Sequence, residues 1–172
     1  MDKTAIVTGM TGQDGPYMAK LLLEKGYKVY GIMKRYSAPN YENLDYLGIT
    51  QDIELVTGDL TDETSINTLV KQIQPEYFVN MGAQGNVGDS WTIPKQTFEA
   101  NSLGPLNCLQ AIKTLSPHTK FYQASTSEMF GDACQISEKQ NEEIPFWPTT
   151  PYSISKLNAH WLVSVYRKAF GL

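Results

Sequence analysis

The chain has 172 residues, with 41% hydrophobic and 19% charged side chains, which suits one well-buried globular domain spanning residues 1–172 rather than two ordinary ones. Its 14 basic and 18 acidic residues give a formal charge of −4, so no nucleic-acid partner is expected, since phosphate backbones are bound by basic faces. Cys108 and Cys134 lack CxxC spacing and His118 and His160 are the only histidines, so neither a metal site nor a disulfide framework is expected.

Residues Met1 to Val7 run straight into a strand pattern, without the apolar core or cleavage site of a secretory leader. The expectation is a reduced cytoplasmic protein with no membrane partner, its cysteines small core or surface residues.

Strand patterns fall at Ala5–Thr8, Lys28–Met33, Ile53–Thr57, Tyr77–Met81 and Lys120–Ala124. Helical spacing predicts helices over Pro16–Lys25, Asp62–Ile73, Ile93–Leu115 and Tyr152–Phe170. Pro16 suits a first helical position and Gly26 a helix end, while Thr61 or Asp62 can cap the helix after Gly58-Asp59-Leu60. Gly104-Pro105 predicts a kink or break inside Ile93–Leu115. Residues Gly131–Thr150, polar and carrying Pro145 and Pro148, read as a long functional loop. Strands alternating with helices of this length imply an α/β fold: a doubly wound parallel sheet of about five strands, helices on both faces.

Between the first strand and first helix lies Thr8-Gly9-Met10-Thr11-Gly12-Gln13-Asp14-Gly15. GxxGxxG at that position lets backbone N–H groups and a helix N-terminus approach a pyrophosphate. Gly9, Thr11, Gly12, Gln13, Asp14 and Gly15 are therefore candidate cofactor-binding residues. Lys34-Arg35 follows the second strand, where an NAD site would normally place an acid. Two cations suit a 2′-phosphate, which favours NADP; a solvated basic turn is the alternative.

Tyr152 and Lys156 stand four apart on the last predicted helix and share a face. A neighbouring ammonium favours a phenolate, making Tyr152 a usable base, although the same spacing occurs on ordinary amphipathic helices. Upstream, Ser125, Thr126 and Glu128 follow the fifth strand, at the end of the sheet where open α/β folds bind ligands. There a hydroxyl and a carboxylate could orient a substrate and move a second proton; Glu128 alone also fits a solvated loop residue.

Segments Thr8–Gly15, Gly58–Asp62, Asn80–Gln84, Phe121–Glu128 and Pro151–Lys156 occur in the order seen in one superfamily. On them the chain resembles the extended short-chain dehydrogenase/reductases, and within these the GDP-mannose 4,6-dehydratases. The resemblance implies a Rossmann-like fold and an internal redox dehydration of a nucleotide-linked hexose, with NADP carrying hydride from C4 to C6. By the same resemblance Tyr152 takes the C4 hydroxyl proton and Lys156 holds the nicotinamide ribose and supports the tyrosinate. Thr126 bonds the C4 oxygen, and Glu128 removes the C5 proton and assists loss of the C6 hydroxyl. It also implies cofactor contacts at Asp59, Leu60, Asn80, Gly82, Ala83, Asn101 and Ala124, and substrate contacts at Gln84, Ser90 and Ser125. Asn80 and Asn101 equally fit structural hydrogen-bonding roles at a strand end and in a helix.

Family members continue well beyond this length, so the expectation is a chain lacking the C-terminal strands and substrate domain, with its last strand an open edge. Asn43 stands where the family usually has an arginine, and Gly85-Asn86 where Ser-His is usual. Relatives associate through helices near Asn101 and Tyr152, so the resemblance implies a homo-oligomer, dimer or tetramer. Two other readings stay open: a catalytically silent NADP-binding or assembly module, and a C4 reductase or epimerase, for which a C5 base such as Glu128 would be superfluous.

Overall fold

The computed structural model describes residues 3–35, 40–135 and 139–172, and not the side chain of Cys134. The expectations for Cys134 and for the loop after Arg35 therefore fall largely outside the described residues. Five strands, β1 (Thr4–Thr8), β2 (Lys28–Met33), β3 (Ile53–Thr57), β4 (Tyr77–Asn80) and β5 (Lys120–Gln123), form one sheet in the order β3-β2-β1-β4-β5. Every pairing is parallel. β5 is an edge of this sheet, as its position in the sequence predicts.

Helices cover both faces. α1 (Asp14–Glu24) and α2 (Glu42–Leu47) lie on one side; α3 (Glu63–Ile73), α4 (Pro94–Phe98), α5 (Gly104–Leu115) and α6 (Pro151–Phe170) lie on the other. The central strand explains the layering. Ala5 and Val7 point into a core with Ala19, Leu22 and Leu44, whereas Ile6 points into one with Ile66, Val70, Phe78 and Ile112. A strand covered on both faces reads as a continuous apolar run because both sets of alternate side chains are buried.

Local chemistry sets the boundaries. Asp62 caps α3 by accepting from the Thr64 N–H, and Thr150 and Ser153 form a reciprocal box at the start of α6. α1 begins two residues before Pro16. Pro16 still lies in the first turn, where an N–H has no intrahelical partner to lose. The predicted break at Gly104-Pro105 is instead a π-helical stretch over Glu99–Leu103, joining α4 to α5 without a gap. Pro105 donates no N–H and crowds the carbonyl four residues back, and widening the preceding turn accommodates it. The short α2 escaped the sequence reading, as did the 3-10 turns at Ser127–Met129 and Gly131–Gln135, too brief to show a period.

Candidate active site

The strand order reverses between β1 and β4, so a crevice opens at their carboxyl ends. Gly9 follows β1 with φ of 75°, and a β-carbon there would come within 2.9 Å of the Met81 carbonyl carbon. The Gly12 N–H donates to the Gly9 carbonyl at 2.9 Å and closes the turn. A β-carbon at Gly15 would overlap that same carbonyl oxygen. Backbone thus crosses backbone where α1 begins, and only hydrogen fits.

Beyond the turn lies a cavity of about 740 Å³, within the range of small-molecule sites. Gly9, Thr11, Gly12, Gln13, Asp14 and Gly15 line one wall; Lys34, Asp59 and Leu60 line a second; Gly82, Ala83 and Gln84 line a third. Its fourth side is Gln96, Glu99 and Ala100 on the helix after β4. Sequence reasoning did not single these out, although spacings of three and four already put them on one helical face.

Lys34 Nζ lies 3.2 Å from Asp59 Oδ2. Partial burial pushes the Asp59 carboxyl up, but hydrogen bonds from the Thr61 N–H and hydroxyl, with the Lys34 ammonium, outweigh it and hold the group below the usual carboxylate range. Arg35 is exposed and does not line the cavity. Asn43 donates its side-chain N–H to the Gly12 carbonyl at 2.7 Å, tying the start of α2 to the glycine turn.

The chemical end sits beside the cavity rather than in its wall. Tyr152 is 9% and Lys156 4% exposed, both in the first turns of α6. Lys156 Nζ donates to the Ala124 carbonyl at 2.7 Å, just past β5. Burial, with no acid alongside, pushes its ammonium down from the ordinary 10.5 to about 8. Thr126 caps the turn Ser127–Met129, its hydroxyl accepting from the Glu128 N–H at 3.2 Å. Ser125 and Glu128 are exposed at the end of the sheet where Lys156 reaches Ala124.

The remaining candidates hold the frame. Asn101 is buried in the π-helical stretch; its Oδ1 accepts from the Gln84 N–H at 2.8 Å, and its Nδ2 donates to the Gln84 carbonyl at 3.0 Å and Ser155 Oγ at 3.1 Å. Every polar end of that amide is occupied, so it locks the loop after β4 against α6. Ser90 is fully buried and donates to the Val87 carbonyl at 2.6 Å. Asn80 is fully buried between Thr8 and Gln123.

The family model for GDP-mannose 4,6 dehydratase matches residues 6–172. The chain belongs to that family. A GDP-mannose 4,6-dehydratase of Sinorhizobium fredii is 43% identical over 177 residues, covering 99% of this chain and 50% of the relative. The Homo sapiens GDP-mannose 4,6 dehydratase is 41% identical over 176 residues, covering 98% and 47%. This chain therefore spans about half the length of the curated relatives it matches. Among solved structures, a UDP-glucose 4-epimerase of Thermus thermophilus in complex with NAD superposes with a TM-score of 0.86 at 28% identity, over 98% of this chain and 52% of that one. This chain thus shares its Rossmann-type architecture with that epimerase. Among the described residues no helix is long and apolar enough to cross a membrane.

Proposed function

We propose that this chain carries the cofactor-binding and proton-transfer half of an NADP-dependent nucleotide-sugar 4,6-dehydratase acting on GDP-mannose or a close relative. The observation that carries the reading is the pairing of a glycine-built cavity with a buried Tyr152–Lys156 helix and a Thr126–Glu128 turn at the same end of the sheet.

The cavity fits a dinucleotide because its floor is backbone: Gly9 and Gly15 let main-chain atoms pack where β-carbons would strike them, leaving the turn's N–H groups and the start of α1 open to a pyrophosphate. The Gly9–Gly15 turn would hold the diphosphate, Asp59 and Leu60 the adenosine end, and Lys34 a 2′-phosphate, with Arg35 reaching it from outside the cavity wall. Bound there, NADP would supply reversible hydride transfer. Tyr152 would take the C4 hydroxyl proton, with Lys156 favouring the phenolate and Thr126 directing the C4 oxygen. Glu128 would remove the C5 proton, acidified by a C4 ketone, and pass a proton to the departing C6 hydroxyl, one carboxylate serving both steps.

Exposed Ile154, Trp161 and Val165 on α6, beside Phe98 and Leu103, support a homo-oligomer; a monomer by light scattering at high micromolar concentration would contradict that. A reduced cytoplasmic setting completes the reading; the buried Cys108, its thiol pushed up by burial, is an inert core residue.

The test is to incubate the protein with NADP⁺ and a panel of nucleotide hexoses and assay the 4-keto-6-deoxy product. Product from GDP-mannose supports the reading. Cofactor binding without product from any sugar favours a second one, a silent NADP-binding module, for which exposed Glu128 and Ser125 outside the cavity lining speak.

A further inference from the structure

A run of hydrogen bonds crosses the carboxyl ends of β1, β4 and β5 and joins the glycine turn to Lys156. The Gly82 N–H donates to Thr8 Oγ1 at 2.7 Å, and the Thr8 hydroxyl donates to Asn80 Oδ1 at 2.6 Å. Asn80 Nδ2 donates to Gln123 Oε1 at 2.8 Å, and Gln123 Nε2 donates to the Ala124 carbonyl at 2.9 Å. That carbonyl is the acceptor of Lys156 Nζ.

The direction of this run is fixed by chemistry rather than by choice of rotamer. A carbonyl only accepts, so Gln123 must present its N–H₂ to Ala124 and its oxygen to Asn80. Asn80 must then present its N–H₂ to Gln123 and its oxygen to Thr8, whose hydroxyl is left to donate. Flipping either amide sets oxygen against oxygen or N–H against N–H. In this half-buried setting that mismatch leaves donors and acceptors unpaired, at a cost to the flipped state.

The Ala124 carbonyl has two lone pairs. Gln123 donates to this oxygen at 2.9 Å and Lys156 at 2.7 Å, so the two donors share one acceptor and each restricts where the other can sit. Among the described residues Lys156 has no carboxylate partner, so its two other N–H directions are set by this one contact.

We infer that Gln123 is a positioning residue, which aims the Lys156 side chain through the Ala124 carbonyl and couples it to the dinucleotide turn through Asn80 and Thr8. The inference rests on the reading of Lys156 as a group that contacts the cofactor ribose. It also gives Asn80 its place: both ends of its amide are used within the protein, so it shapes the site without needing to touch a ligand.

The test is a double-mutant cycle on NADPH affinity, followed by fluorescence in the wild type, Gln123→Leu, Lys156→Met and the double variant. Gln123→Leu is expected to weaken binding about five- to tenfold with Lys156 present and less than about twofold in the Lys156→Met background. Equal losses in both backgrounds, or no loss in the single variant, would overturn the inference. If Gln123→Leu does not fold, Gln123→Ala replaces it, since it removes the donor to Ala124 without placing a charge beside Lys156. The same non-additivity is expected of it, and the same additivity would overturn the inference. A wild-type chain that binds no NADPH overturns the functional reading itself, and the inference with it.

Discussion

The glycine turn and the Tyr152–Lys156 end are built in opposite ways. The turn is made of backbone against backbone: Gly9, Gly12 and Gly15 bring main-chain atoms together, and the cavity wall they form needs few side chains to be placed. The chemical end is made of side chains, with Tyr152 and Lys156 buried on α6, Thr126 half-buried and Glu128 exposed at a short turn, and a relay of amides aims its lysine. A backbone site tolerates almost no added atom. A side-chain site tolerates changes in shape but not in donors and acceptors.

The largest expected effect lies at the turn. Gly15→Val must push the Gly9 carbonyl aside, so NADPH affinity is expected to fall at least about a hundredfold and the melting temperature several degrees, consistent with about 2–4 kcal/mol for forced backbone movement. Retained affinity would show that the turn is not the diphosphate site.

Tyr152→Phe attacks the other end. Oxidation at C4 is expected to vanish, while NADPH affinity stays within about threefold of wild type, because only a proton acceptor is lost. Glu128→Gln sharpens the contrast: it is expected to let the C4 ketone form and stop elimination, read as accumulation of reduced cofactor. Loss of C4 oxidation as its sole effect would contradict the role given to Glu128.

Lys156 carries a cost that the turn does not. Its ammonium titrates near 8 in the folded chain against the ordinary 10.5. A lowered amine value means the folded state binds protons less well, so this group's stability is fully present above 10.5 and lost as pH falls through 8. The expected penalty at neutral pH is on the order of 3 kcal/mol. Lys156→Met should therefore melt higher than wild type at pH 7, with the advantage shrinking as pH rises towards 10. A gap independent of pH would show that the lysine is not desolvated.

The smallest stability effect belongs to Lys34, whose ion pair with Asp59 is about half exposed. Lys34→Ala is expected to change folding stability by less than about 1 kcal/mol, yet to weaken NADP more than NAD. Equal losses for both cofactors would remove the argument for a 2′-phosphate site at β2.

The same contrast explains what could be read from the sequence. Strands β2 and β3 match the apolar patterns residue for residue, and the glycine turn is visible because a crossing of backbones leaves glycines behind. Tyr152 and Lys156 are visible because helical spacing puts them on one face. Gln123 and Asn43 left no such mark: their partners lie 43 and 31 residues away, and only the strand order brings them together. The π-helical stretch at Glu99–Leu103 was foreshadowed by Gly104-Pro105, but the pair signals only that the helix is disturbed, and not in which turn.

The most direct measurement of the central claim, a dinucleotide site formed by this chain, is a calorimetric titration of NADPH into the wild-type protein and Gly15→Val. The account predicts saturable one-site binding by the wild type and none by the variant. Absence of binding by the wild type, or equal binding by both, would contradict it.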